Sequence, residues 1–166
     1  LILLIDEASL QSMKSLVGRW PWPRSLFADL LEFLGEAGAK AVLFDVLFTE
    51  PQVPRNQEGE LGSDDYALAD STGRNGNVFH ALMLLQDKED EFNSDLLNRP
   101  LPTAFIEQFS LKNLTGILPN SLKKTNNYYL PIQELYENSR GVSVVEFLPD
   151  SDGIYRRTDL LREYQG

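Results

Sequence analysis

Two apolar runs on either side of an amphipathic segment constrain the fold more than any other feature of this sequence. Leu1–Ile5 is uninterrupted Leu and Ile, and Ala41–Phe48 is apolar at every position but one. Between the runs, Pro23–Ala37 repeats leucine at four-residue spacing with further apolar residues beside it, which is typical of an amphipathic helix. The sequence therefore predicts a strand–helix–strand unit with a right-handed parallel crossover, and places both runs in strands buried on both faces.

The pattern of the remaining sequence indicates further helices and strands around this unit. Exposed loops are indicated at Pro51–Gly62 and Gln86–Asn98. The predicted elements are a helix capped by Ser63, a strand over Val78–Leu85, short helices over Thr103–Phe109 and Pro131–Asn138, and strands over Gly141–Phe147 and Ile154–Leu161. An Asp-Gly pair joins the last two strands and favours a tight hairpin turn. We expect an α/β fold with a mainly parallel central sheet flanked by helices and a carboxyl-terminal antiparallel hairpin.

Length and charge limit the class of protein. A chain of 166 residues with 42% hydrophobic content suits one compact domain, which we assign to residues 1–166. A formal net charge of −10 repels phosphate backbones and anionic lipid surfaces, so nucleic-acid binding is not expected. No apolar run reaches the roughly 20 residues of a membrane span, and Leu1 opens inside an apolar run, so we interpret the chain as excised from a longer protein.

Three acidic residues mark one edge of the predicted sheet. Asp6 and Glu7 follow the first strand, and Asp45 lies near the end of the second. In open α/β sheets the carboxyl ends of parallel strands form the rim where ligands bind. Two interpretations remain open: a pocket for a cation or small molecule, and structural carboxylates that accept hydrogen bonds from backbone N–H groups or from Arg24.

An aromatic, proline-rich segment precedes the predicted helix. Trp20 and Trp22 alternate with prolines, and Arg24 falls in the first helical turn, where a cation opposes the helix dipole and requires a carboxylate partner. As a binding site, the rings form a ligand wall and Arg24 an anion clamp. As structure, which we favour, they form a hydrophobic lid with an internal ion pair between Arg24 and Asp6 or Asp45.

The sequence gives no positive evidence for an enzyme. It contains no cysteine, no nucleophile elbow, no Walker loop and no dinucleotide fingerprint, and its single histidine, His80, is interpreted as a core residue. We therefore predict no catalysis and no cofactor. One alternative is a cytoplasmic Mg²⁺-dependent aspartate phosphatase or receiver-like domain using Asp6 or Asp45, although Ala8 stands where such a phosphatase needs a second aspartate. Another is a structural module that dimerises through its sheet edge or through Trp20 and Trp22.

Three blocks together resemble the CHASE type 2 family. They are Ile5–Leu10, Gly18–Arg24 and Ala37–Pro51, with weaker similarity at Asp65–Leu68 and Pro149–Arg157. The resemblance implies a sensory domain outside the cytoplasmic membrane of a bacterium, linked to transmembrane helices and to a cytoplasmic cyclase or kinase output. It also implies an unidentified small-molecule or ionic stimulus and allows a homodimer. The candidate ligand-binding residues are Asp6, Glu7, Trp20, Trp22, Arg24, Asp45 and Asp65.

Overall fold

The fold comes from a computed structural model, which describes residues 1–85, 100–110, 122–125, 127–145, 151–154 and 162–164. Five helices and six strands lie within these ranges. The helices are α1 Glu7–Val17, α2 Arg24–Glu36, α3 Ser63–Asn75, α4 Thr103–Phe109 and α5 Gln133–Asn138, and the strands are β1 Val42–Leu43, β2 Val78–Leu85, β3 Lys123–Thr125, β4 Asn127–Tyr129, β5 Gly141–Val144 and β6 Arg162–Tyr164.

The sheet is organised around β2. β1 and β5 each pair with β2 in the parallel sense, with Val42 opposite Val78 and Gly141 opposite Phe79. The far end of β2 pairs with β4 in the antiparallel sense, with Leu84 opposite Tyr128. A separate parallel pair joins β3 and β6. The expected α/β architecture with a mainly parallel sheet is therefore confirmed.

The amino-terminal segment differs from the prediction. Leu1–Ile5 forms no strand, and all five side chains are exposed. The chain instead enters α1 at Asp6, whose side chain accepts a 2.9 Å hydrogen bond from the Ser9 N–H while the Ser9 hydroxyl accepts one from the Asp6 N–H. The prediction of a buried first strand was wrong because an apolar run indicates a tendency to be buried but does not supply the neighbouring strand that a sheet requires.

The second apolar run also forms less strand than expected. Only Val42–Leu43 pairs with β2, whereas Ala41–Phe48 was predicted to pair throughout. Beyond β1, Phe44 and Phe48 turn into the core while Asp45 and Leu47 remain exposed. The run therefore contributes to the core mainly through its side chains and much less through the sheet ladder.

In the described part of the chain, two hydrophobic clusters fill the interior. The first lies between α2, α3 and the β1–β2 region and includes Phe27, Leu31, Leu68, Val78 and Leu135, each at most 5% exposed. A second cluster packs α4 and α5 against the β2–β4 pair. α2 faces the first cluster with Phe27 and Leu31, whereas only Leu26 of the leucines at four-residue spacing packs against it.

The carboxyl-terminal prediction is only partly covered by the described residues. β5 matches the start of the predicted strand over 141–147, and Gly153 adopts the left-handed conformation at φ +79° that the tight turn requires. Residues 155–161, which carry the second predicted hairpin strand, lie outside the described residues. β6 follows them and pairs with β3, an arrangement the sequence did not indicate.

Across the described ranges, none of the helices has both the length and the apolar character needed to cross a bilayer.

Candidate functional site

A buried ion pair joins the starts of α2 and α3. Arg24 Nη1 donates to Asp65 Oδ1, and the two residues are only 8% and 1% exposed. Arg24 is the first residue of α2, and Asp65 lies in the first turn of α3. The α3 dipole favours the carboxylate, whereas the α2 dipole opposes the guanidinium, so Arg24 depends on Asp65 for its charge balance.

The same ion pair holds the loop that follows Phe48. Arg24 Nη2 donates to the carbonyl of Glu50, and the Arg24 N–H donates to Gln52 Oε1 at 2.8 Å. The Gln52 N–H in turn donates to Asp65 Oδ2 at 2.9 Å. These bonds close a network, which we call the latch, made of Arg24, Glu50, Gln52 and Asp65. The latch fixes two helix starts and one loop to each other.

Burial and charge act in opposite directions on Arg24. Burial lowers the pKa of Arg24 and the attraction of Asp65 raises it, with burial the larger effect. The guanidinium carbon also lies 5.1 Å from the centre of the Phe48 ring, within the range of a cation–π contact. Arg24 is therefore committed to partners within the fold and is not a free anion clamp.

An aromatic cluster adjoins this network through Phe48. Trp20 contacts Trp22 edge to face at 5.5 Å between ring centres, and Phe27 contacts Phe48 at 5.4 Å. Trp22 is 7% exposed, whereas Trp20 is 44% exposed. The indole N–H of Trp22 has no hydrogen-bond partner among the described residues. The pair therefore forms a lid whose inner ring belongs to the core and whose outer ring reaches solvent.

His80 is the third residue of β2 and is fully buried. Its ring stacks on Phe44 at 5.2 Å with planes 5° apart, and Nε2 lies 3.1 Å from the Thr72 hydroxyl. Burial, with a smaller contribution from the charge of Arg24, lowers the pKa of His80 to about 4. Nδ1 has no partner within the described ranges. The ring is thus held neutral, and the interpretation of His80 as a core residue is confirmed.

The acidic residues predicted at the sheet rim lie in different settings. Asp6 caps α1, and its hydrogen bonds from Ser9 lower its pKa. Glu7 accepts a 3.0 Å bond from the Gln11 amide. Asp45 is exposed just after β1. Within the described part of the chain, no three His, Asp or Glu side chains gather closely enough to hold a metal ion.

A polar cleft of about 250 Å³ opens elsewhere, between α2 and α3. Arg74 lines it and pairs with Glu32 at 2.5 Å, and the Asn75 amide donates to the Leu31 carbonyl at 3.3 Å. None of the residues predicted to bind a ligand lines this cleft.

The structure brings together some predicted residues and separates others. The expected carboxylate partner of Arg24 exists, but it is Asp65, and the prediction of Asp6 or Asp45 was wrong because Asp6 is committed to the cap of α1. Asp65 had two sequence signals, its place in the first turn of a predicted helix and its place in the segment Asp65–Leu68 that resembles the family pattern. Gln52 was missed because it lies in a polar loop with no pattern that identifies its backbone contacts.

Comparison with known proteins gives one family assignment. The CHASE2 domain family model matches residues 1–165, essentially the whole chain. No match was found among curated proteins or among solved structures.

Proposed function

This chain belongs to the CHASE2 domain family, and we propose that it is the extracytoplasmic sensory input domain of a bacterial transmembrane signalling receptor. The observation that carries the proposal is the family match over residues 1–165, since a sensory role is what membership of this family suggests. In the proposed receptor, transmembrane helices link the domain to a cytoplasmic cyclase or kinase, and the domain itself performs no catalysis.

The latch is a suitable element for passing on a stimulus. Arg24 and Asp65 join two helix starts, and Glu50 and Gln52 bring the loop after Phe48 into the same network. If the latch has two conformations, a ligand shifts the equilibrium between them only when it binds one conformation more tightly than the other. A preference of about 1–3 kcal/mol is enough for a useful response. We propose that the stimulus is a cation or small molecule that contacts the exposed carboxylates of Asp6, Glu7 and Asp45 or the exposed Trp20.

A thermal-shift screen of divalent cations and small metabolites tests the ligand part of the proposal. We expect a compound that raises the melting temperature of the wild-type chain and raises it less in the Asp6→Asn, Asp45→Asn double variant. The matched control is Asp29→Asn with Glu107→Gln, which removes the same charge from exposed positions on α2 and α4. Equal stabilisation of all three proteins would show that these carboxylates are not the binding site.

Cysteine labelling tests the location. Because the chain has no cysteine, a single Glu58→Cys in the exposed loop 51–62 gives the domain one accessible thiol. In intact cells producing the whole receptor, we expect a membrane-impermeant maleimide to label this thiol before lysis. Ala69→Cys, at a position 4% exposed, is the control and should label only after unfolding. Labelling of Glu58→Cys only after lysis would contradict an extracytoplasmic domain.

A further inference from the structure

The imidazole of His80 is a buried group that has no partner for a second proton. His80 is 0% exposed, and its Nε2 shares a 3.1 Å hydrogen bond with the Thr72 hydroxyl. Within the described residues, Nδ1 has no hydrogen-bond partner. An imidazolium must donate from both nitrogens and carries a charge that burial penalises. The arrangement in the structure therefore fits the neutral ring and not the charged one.

Two phenylalanine rings enclose the imidazole. Phe44 stacks on His80 at 5.2 Å between ring centres, and Phe48 contacts it edge to face at 5.9 Å. The face of Phe44 attracts a cation. That attraction does not replace the hydrogen bond that a protonated Nδ1 needs. Protonation therefore favours an arrangement in which the two rings withdraw and water reaches Nδ1.

The charged groups near His80 provide no partner for the proton either. β2 and its parallel neighbours β1 and β5 carry no ionisable residue other than His80. The charge of Arg24 acts on His80 and repels a second cation. Asp65 lies on the same face of α3 as Thr72, two turns earlier, and is engaged by Arg24. The remaining ionisable side chains on these elements are exposed or paired with one another: Asp29, Glu32 and Glu36 on α2, Asp45 after β1, Asp70 and Arg74 on α3, Glu134 and Glu137 on α5, and Arg140 before β5.

The segment that carries the two rings, residues 44–50, is held only lightly by its backbone. The ladder with β2 ends at Phe44, whose N–H donates to a β2 carbonyl at 2.9 Å. Further on, the Phe48 carbonyl accepts from the Ile132 N–H at 2.9 Å, and the Glu50 carbonyl accepts from Arg24. Packing of the Phe44 and Phe48 rings therefore does much of the work of holding this segment, and the segment can move while β2 stays paired with β5.

We propose that a proton on Nδ1 of His80 releases segment 44–50 and opens the latch, which makes acidity a stimulus for this domain. Phe48 transmits the change because its ring contacts His80 and also lies 5.1 Å from the guanidinium carbon of Arg24. Withdrawal of Phe48 draws the Glu50 carbonyl away from Arg24, two residues along the chain. The release is a property of the fold, whereas its use as a signal rests on the proposed sensory function.

The size of the effect follows from the proton affinities of His80 in the two arrangements. Burial holds the pKa of His80 at about 4 in the closed arrangement, and exposure restores its ordinary value of 6.5. The closed arrangement is therefore fully favoured above pH 6.5 and becomes less favoured as the pH falls toward 4. Between pH 7 and pH 5, the ratio of open to closed molecules should rise about 20-fold.

NMR on residues 1–166, without an added histidine tag, tests this switch. His80 is the only histidine, so its ring signals report its titration directly. The Gln52 N–H donates to Asp65 Oδ2, so its hydrogen exchange reports opening of the latch. We expect the protection of this amide, relative to an unprotected amide at the same pH, to fall about 20-fold between pH 7 and pH 5. In His80→Phe, which has no proton site at this position, the fall should be absent.

The Val145 amide is the reference for unfolding of the whole domain. Its N–H donates to the Leu82 carbonyl at 3.1 Å, beside the pairing of β5 with β2. Release of segment 44–50 leaves this bond in place and exposes little surface. Urea below the unfolding transition should therefore speed exchange at Val145 and leave exchange at Gln52 unchanged.

Several results would overturn the switch. It fails if His80 titrates near 6.5 in the folded domain, since the ring is then not enclosed. It fails equally if His80 takes up a proton with no loss of protection at Gln52, or if the loss persists in His80→Phe. Equal protection and equal urea dependence at Gln52 and Val145 would show that acid unfolds the whole domain. If His80→Phe does not fold, the wild-type titration and the two amides still decide. No receptor output is measured, so the switch and the sensory function fail separately.

Discussion

Replacing Arg24 with methionine tests whether the latch stabilises the fold. The substitution keeps most of the apolar stem but removes the charge, and it leaves Asp65 buried at 1% exposure without its cation. Removing one partner of a buried ion pair costs about 3–5 kcal/mol, because the remaining charge is uncompensated. The bond from Gln52 N–H to Asp65 Oδ2 remains and compensates part of that charge. We therefore expect a loss of about 3 kcal/mol, at the lower end of that range.

The assay is urea denaturation at pH 7, with the unfolding free energy extrapolated from the transition. Arg24→Met is compared with Asp65→Leu and with the double variant, so that the cycle isolates the pairwise contribution. The double variant should be less destabilised than the sum of the two single variants, because removing both charges leaves no buried ion unpaired. The control is Arg74→Met, since Arg74 pairs with Glu32 and Asp70 at the surface and its loss should be small.

Two outcomes would refute this reasoning. If Arg24→Met shifts the midpoint no more than Arg74→Met does, the buried pair contributes nothing that an exposed pair does not. If the double variant is destabilised by the full sum of the single variants, Arg24 and Asp65 act independently, and the latch is not one coupled unit.

Three further predictions concern pH, packing and catalysis. Because the folded-state pKa of His80 is about 4, below its usual value of 6.5, the contribution of the neutral ring to stability should be complete above pH 6.5. The free energy of unfolding, measured by urea denaturation, should fall by about 2–3 kcal/mol between pH 7 and 4.5. His80→Phe should lack that fall. Gly141→Ala should cost about 1–3 kcal/mol by thermal unfolding, because a Cβ there would lie 2.8 Å from the Phe79 ring; an unchanged midpoint would show that the ring moves aside freely. The isolated chain should hydrolyse no phosphoester, and turnover that disappears in Asp6→Asn would contradict the non-catalytic proposal.

Elements with strong local signals could be predicted closely from the sequence. α2 was expected over Pro23–Ala37 and occupies Arg24–Glu36, and β2 and α4 match their predicted ranges. Proline at the start, glycine at the end and regular apolar spacing are local properties, so a single sequence carries them. α1 had such a signal in the cap formed by Asp6 and Ser9, but the apolar run before it drew the interpretation toward a strand.

Properties that depend on distant partners could not be predicted in the same way. The pairing of β3 with β6 joins two short segments, neither of which has a marked strand pattern. The ion pair of Arg24 was expected, yet the sequence offered several carboxylates and no means of choosing Asp65 among them. Selection of a partner depends on how α2 and α3 pack, which is a property of the whole fold. Whether the candidate residues bind a ligand stays a prediction.

The position of β5 has a consequence for how the chain folds. β5 lies beside the centre of β2, yet α4, β3, β4 and α5 all intervene between them in the sequence. Ordering the chain across such a separation costs entropy before the paired strands can offset it, and folds dominated by non-local pairings reach the native state slowly. During synthesis, the backbone N–H and C=O groups on one edge of β2 stay unpaired until the chain has been made as far as β5. The rate-limiting step in folding this domain is therefore expected to be the pairing of β5 with β2. The nascent chain is most prone to aggregate before this pairing forms.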